Sequence, residues 1–225
     1  RWDVQFYAER LRERRYSIDQ EALRSYFPTL PTLRWMLEVT GRLYGIRFRI
    51  ADVPLWHAEV MAFEVHEESD GAYIGLVYLD LFPREGKFKH AAAWPVRGAS
   101  TKVERTPISV LVTNFDRVGL THHELETLLH EFGHAMHGVL SRTTYNQQAG
   151  TSVQRDFVEA PSQMYEEWAR RWESLRTLAD TSGHAPKLDE AIVERLAAAR
   201  RFGQGIRYGR QLLYATYDME LAGPS

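Results

Sequence analysis

The chain has 225 residues, a formal charge of −2, 44% apolar residues and no cysteine. That length suffices for a sizeable core without disulfides, and the near-neutral balance gives no electrostatic footprint for nucleic acid or an anionic membrane. The lack of cysteine excludes thiol catalysis and thiolate metal sites and fits a cytoplasmic setting, and no apolar run approaches the ~20 residues of a membrane span. No signal peptide is visible. The start at Arg1 rather than Met is what a piece of something longer, or a processed product, would show.

The first part reads as helical. Residues 2–16 place Trp2, Phe6, Leu11 and Tyr16 among charges at roughly helical spacing. Asp19 is expected to open a short helix through Phe27, punctuated by Pro28 and Pro31. Another amphipathic helix runs from Leu33 to Tyr44 and stops near Gly45. The middle changes character. Residues 48–50, 60–68, 72–82, 90–97 and 107–115 are short β-rich runs between Gly, Pro and Asp signals, as in a small mixed sheet. Helices return at about 121–140, 157–179, 189–202 and 206–222. The order helices, sheet, helices predicts a mainly helical α+β fold over 1–225 as a single unit.

The chemistry concentrates in HEFGHAMH, residues 130–137. Thr121 with Glu124 three residues on matches a capping box, and the apolar period then continues through this stretch. Residues four apart on a helix share a face, so His130 and His134 can converge on one metal ion. Glu131 points elsewhere but can reach a water on that metal. This is the mechanics of HExxH: two neutral imidazoles bind Zn²⁺ and the glutamate is general base. His137 lies roughly 10 Å along the axis from His130 at 1.5 Å per residue, so one straight helix cannot bring all three imidazoles to one ion. A packing role, or one supporting the ligands from behind, is expected for it. His122 and His123 read as exposed or capping residues of the first turn.

A catalytic zinc needs a third protein ligand and an open position. A histidine six residues after His134 would supply it in one known pattern, but residue 140 is Leu. A glutamate from the following helix is the other common solution. In RDFVEAPSQMYEEW (155–168), Asp156 is a plausible N-cap and Pro161 should fall in or near the first turn. Glu159 then sits at a helix start and is the better candidate. Glu166 and Glu167, two turns later, read as a solvated flank.

HEFGHAMH followed 25 residues after His134 by Glu159 within DFVEAPSQMYEEW resembles the thimet oligopeptidase family, which includes oligopeptidase A and the peptidyl-dipeptidases. YLDLFPREGKFKHAAAW (78–94), RWDVQFYAERLR (1–12) and RFGQGIRYGRQLLYATYDMEL (201–221) are similar to further blocks of that family. The resemblance implies a zincin-like catalytic core holding one Zn²⁺ through His130, His134 and Glu159, with Glu131 as base. It implies zinc-dependent hydrolysis of internal or near-C-terminal bonds of short peptide substrates. It also implies that His90, Ala91 and Ala92 form a sheet edge pairing with substrate backbone, although Lys89 stands where the family usually has Gly. Asp156, Ser162 and Gln163 are candidates for orienting the ligands from behind.

Family members are far longer. A large helical half is expected ahead of Arg1, and a Gly/Tyr-rich loop with His and Tyr donors after Leu221. Two readings therefore stand: a working metallopeptidase core, or a truncated zinc-binding fragment with little or no turnover.

Overall fold

The computed structural model describes residues 3–16, 18–19, 21–182 and 186–223; Trp2, placed by sequence at the start of the first helix, lies outside them. Two compact units emerge, Arg1–Asp19 with Asp189–Ser225, and Gln20–Leu188. In the smaller unit, α1 (Asp3–Tyr16) packs with α7 (Glu190–Arg200), which is followed by α8 (Gln204–Ala222). The Asp189 side chain caps α7 by accepting from Ala191 N–H at 3.1 Å. Tyr16 meets Phe202 edge-on at 6.3 Å. Among the described residues no helix is long and apolar enough to cross a membrane.

The larger unit is built on a five-stranded mixed sheet. Its strands are β1 (Ile46–Ile50), β2 (Met61–Glu67), β3 (Tyr73–Asp80), β4 (Ala92–Arg97) and β5 (Ile108–Val112), in the order β1-β2-β3-β5-β4. β3 and β5 run parallel and the other pairs antiparallel. Strand β5 thus inserts between β3 and β4, and β4 becomes an edge. Before the sheet, a 3₁₀ turn at Ala22–Tyr26 replaces the longer helix expected from Asp19. Helix α2 (Thr29–Tyr44) starts earlier than its apolar period suggested. Pro31 falls within its first turn, where no N–H has an intrahelical partner to lose. Gly45 ends it in the left-handed conformation.

Helix α3 (His122–Val139) lies against β3, β4 and β5 and also packs on α5 (Ala160–Glu166). Its buried stripe of Leu125, Leu128, Leu129, Phe132, Ala135, Met136 and Val139 supplies the seam. Thr121 Oγ1 accepts from Glu124 N–H at 3.1 Å, and Glu124 Oε2 accepts from Thr121 N–H at 2.7 Å. Arg24 clamps this capping box by donating to Glu124 Oε2 at 2.7 Å and to Gly119 O at 2.8 Å. A cap of this kind contributes about 1 kcal/mol.

The continuous helix expected over 157–179 is interrupted. Helix α4 (Arg155–Val158) stops at Glu159, α5 follows, a 3₁₀ turn covers Glu167–Ala169, and α6 (Trp172–Ser182) resumes. Pro161 explains the first break: it has no N–H, and its ring would collide with the carbonyl four residues earlier. Glu159 sits at the junction, with φ −87° and ψ −4°.

The loop between β3 and β4 is held by buried charge. Lys87 Nζ donates to the carbonyls of Asp80 (2.8 Å), Phe82 (2.6 Å) and Thr113 (2.6 Å) and lies 2.8 Å from Asp80 Oδ1. It thereby ties together the C-terminal ends of the two parallel strands. Arg84 pairs with both Asp80 oxygens at 2.6 and 2.7 Å, and Trp56 Nε1 donates to Oδ2 at 3.0 Å. Asn114 Nδ2 donates to Phe88 O at 2.9 Å, fixing the approach to β4. Burial alone would raise the Asp80 pKa, but the hydrogen bonds from Arg84, Lys87 and Trp56 win and lower it to about 2. The stabilisation from this carboxylate is therefore complete above its ordinary value near 3.8 and is lost as pH falls through about 2. It amounts to about 2 kcal/mol. Thermal unfolding followed by circular dichroism should show the melting temperature falling between pH 5 and pH 2. Asp80→Asn should be destabilised at pH 7 and less sensitive to acid. Equal acid sensitivity in both proteins would show that the loss arises elsewhere.

Candidate metal centre

Helix α3 presents His130 and His134 on one face, with ring centroids 4.9 Å apart and planes at 84°. The helix break ahead of α5 carries Glu159 to them. Its Oε2 lies 3.2 Å from His130 Nε2 and 3.2 Å from His134 Nε2. These three residues form a group whose ligand atoms all lie within 4.8 Å of one another, the metal-ligand cluster found among the described residues. The donor set fits zinc. A tetrahedral ion with bonds of about 2.0–2.1 Å places its ligand atoms about 3.3 Å apart, close to the two separations seen. The histidine side chains are 26% and 11% exposed but that of Glu159 is 50% exposed, so the cluster opens to solvent on the glutamate side. Burial lowers the His134 pKa, although Glu159 opposes this, so its neutral, ligating form is favoured.

Two contacts explain how α5 reaches so close. Gly133, between the two histidines, faces the backbone of α5: a Cβ there would lie 2.7 Å from Ser162 Cα and 3.0 Å from Pro161 O. Ser162 is buried, and its Oγ donates to Glu159 Oε2 at 2.9 Å. Asp156 and Gln163 are both exposed. No hydrogen bond or ion pair among the described residues joins their side chains to His130, His134 or Glu159; only the Gln163 N–H reaches Glu159 O, at 2.9 Å.

Glu131 points toward the sheet edge. Burial raises its pKa, outweighing the opposing effects of His130 and of a hydrogen bond with the Ala93 backbone. His130 and the backbone of Ala93, the second residue of β4, thus both act on this carboxylate. Of the residues expected on the substrate edge, Ala92 opens β4, while Ala91 and exposed His90 precede it. Among the described residues β4 pairs with β5 alone, leaving its other side open. A small cavity beside this edge is lined by Ala93, Trp94, His134, Gly138 and Gly150.

His137 is not part of the cluster. It packs edge-on to Phe157 at 6.2 Å, and its buried Nδ1 finds no partner among the described residues. His122 turns inward rather than capping or facing solvent: its Nε2 lies 2.8 Å from Ala169 O, and its ring packs beside Phe27. Glu166 is not a solvated flank either. Its side chain is 18% exposed, its Oε1 lies 2.7 Å from His130 Nδ1, and it pairs with Arg170. The sequence carried one signal for this: Glu166 is seven residues, two helical turns, after Glu159 and four before an arginine.

The profile of peptidase family M3 matches residues 1–222. The thimet-like oligopeptidase of Dictyostelium discoideum is 34% identical over 234 residues, covering 96% of this chain and 34% of that protein. Oligopeptidase A of Salmonella typhimurium is 36% identical over 236 residues, covering 98% of this chain and 34% of that protein. The mitochondrial intermediate peptidase of Arabidopsis thaliana is 33% identical over 235 residues, covering 99% and 33%. The chain spans about a third of the length of the curated relatives it matches.

Proposed function

The chain belongs to peptidase family M3, and on that premise we propose that it carries the catalytic core of a zinc-dependent oligopeptidase acting on short peptides. The whole span serves that one core, with a zincin-like arrangement of sheet edge and metal helix. The observation that carries the reading is the convergence of His130 Nε2, His134 Nε2 and Glu159 Oε2 at spacings suited to a tetrahedral ion. Bound zinc would polarise the scissile carbonyl and lower the pKa of a coordinated water to about 7.

The chain's own residues supply the rest. Glu131 takes the proton of the attacking water at its carboxylate and returns it to the leaving nitrogen. Its raised pKa makes it the stronger base for the first transfer. Ser162 restrains the Glu159 carboxylate through its hydroxyl. The open edge beginning at His90, Ala91 and Ala92 accepts the peptide backbone by strand addition, which fixes register without reading side chains. Glu131 next to Ala93 then meets a peptide lying along that edge.

Metal analysis of the purified chain should give one zinc, removable by a chelator and lost in His130→Ala and Glu159→Ala. A quenched-fluorescent peptide should be cleaved only by the zinc-loaded form. Undiminished zinc in both variants would sink the ligand assignment. Zinc without cleavage would favour a second reading, supported by the chain spanning only a third of its relatives: a metal-binding core that needs further residues for turnover.

A further inference from the structure

We propose that Glu166 is a positioning residue for the metal centre, fixing His130 as the Nδ1–H tautomer so that Nε2 offers its lone pair, with Arg170 holding Glu166 in place. This rests on the reading of His130 as a ligand. The His130 ring is gripped at both nitrogens by carboxylates from one short stretch of chain. Glu159 Oε2 lies 3.2 Å from Nε2, and Glu166 Oε1 lies 2.7 Å from Nδ1. A carboxylate can only accept, so a contact of 2.7 Å requires the proton on Nδ1. With that proton committed, Nε2 is free to ligate.

The carboxylate is itself anchored. Arg170 is 13% exposed, pairs with the other oxygen of Glu166, donates to Glu126 Oε1 at 2.8 Å and to Glu167 Oε1 at 2.9 Å. A bidentate-capable guanidinium shared in this way limits the rotamers of Glu166. Helix α3 supplies Glu126 and His130 one turn apart, so Arg170 and Glu166 also lock the end of α5 to the ligand-bearing helix. Among the described residues His134 has no such support, since its Nδ1 is buried and finds no partner there. The two imidazoles are thus held differently: His134 by packing, His130 by a charged brace.

A merely structural strut between α3 and α5 would also use these contacts, so the test reads the ring itself. Zinc affinity is measured by chelator competition for the wild type, Glu166→Leu and Glu166→Gln. Long-range ¹H–¹⁵N NMR reports the His130 tautomer in the zinc-free proteins. The leucine variant should bind zinc about 10–100-fold more weakly and lose the Nδ1–H tautomer. The glutamine variant keeps an acceptor and should recover most of both. Wild-type affinity and tautomer in Glu166→Leu would overturn the proposal. If that variant does not fold, a wild-type His130 found protonated on Nε2 instead overturns it. If the wild type binds no zinc, the metal reading fails, while the tautomer still judges the role of Glu166.

Discussion

Glu131→Gln should reduce peptide cleavage by roughly 10³-fold, within the 10²–10⁴ range of general-base removal, while leaving zinc content unchanged. The substitution keeps the volume of the side chain and an oxygen that can accept from the Ala93 backbone. It removes the ability to take a proton. Glu131 is outside the three-residue cluster, so the metal should stay. The comparison of metal content with rate separates two failures. Zinc lost along with activity would make Glu131 a ligand or a fold determinant. Zinc kept with a rate within tenfold of wild type would place the base elsewhere.

Gly133→Ala should destabilise the protein by about 1–3 kcal/mol and weaken zinc binding at least tenfold. Helix propensity argues the other way, since alanine is favoured over glycine by about 1 kcal/mol in a helix interior. The steric term decides. The new methyl would stand 2.7 Å from Ser162 Cα, an α5 backbone atom that cannot rotate aside. Relief requires α5 to move off α3, and Glu159 lies at the start of α5 with Ser162 bonded to its carboxylate. The metal site should loosen with the packing. Gly209→Ala in α8 is the control: its Cβ would meet nothing within 4 Å, so it should be neutral or stabilising. Urea unfolding of both variants checks the pair. A gain in stability at both positions would show that propensity, not the α3–α5 approach, governs Gly133.

What the sequence discloses and what it hides divide along physical lines. Helix α3 is legible because its cap, period and histidine spacing are all local, and the sheet strands are legible from their short β-rich runs. The break at Glu159 was only half visible: Pro161 announced a helix start, but apolar periodicity carried the expected helix on to residue 179. Glu166 was nearly hidden: apart from its spacing from Glu159 and Arg170, nothing around it points to a partner 36 residues away at His130. His122 was misjudged for the same reason, since its partner Ala169 comes from the turn packed against α3. The Asp80–Lys87 clamp was equally silent: nothing in the local sequence ties charges at 80, 84 and 87 together, since the clamp closes on Thr113, which β5 brings beside β3.

The open flank of β4 raises a different problem. An unpaired strand edge invites other chains to add to it and is a route to aggregation. Here Pro95 sits in the strand with no N–H to give, and the register with β5 shifts between Pro95 and Arg97. Both features blunt an edge against long-range strand addition. Only the few residues ahead of Pro95 remain a regular template. Among the described residues the regular part of this edge is thus only Ala92, Ala93 and Trp94, which suits a short added strand better than a long one.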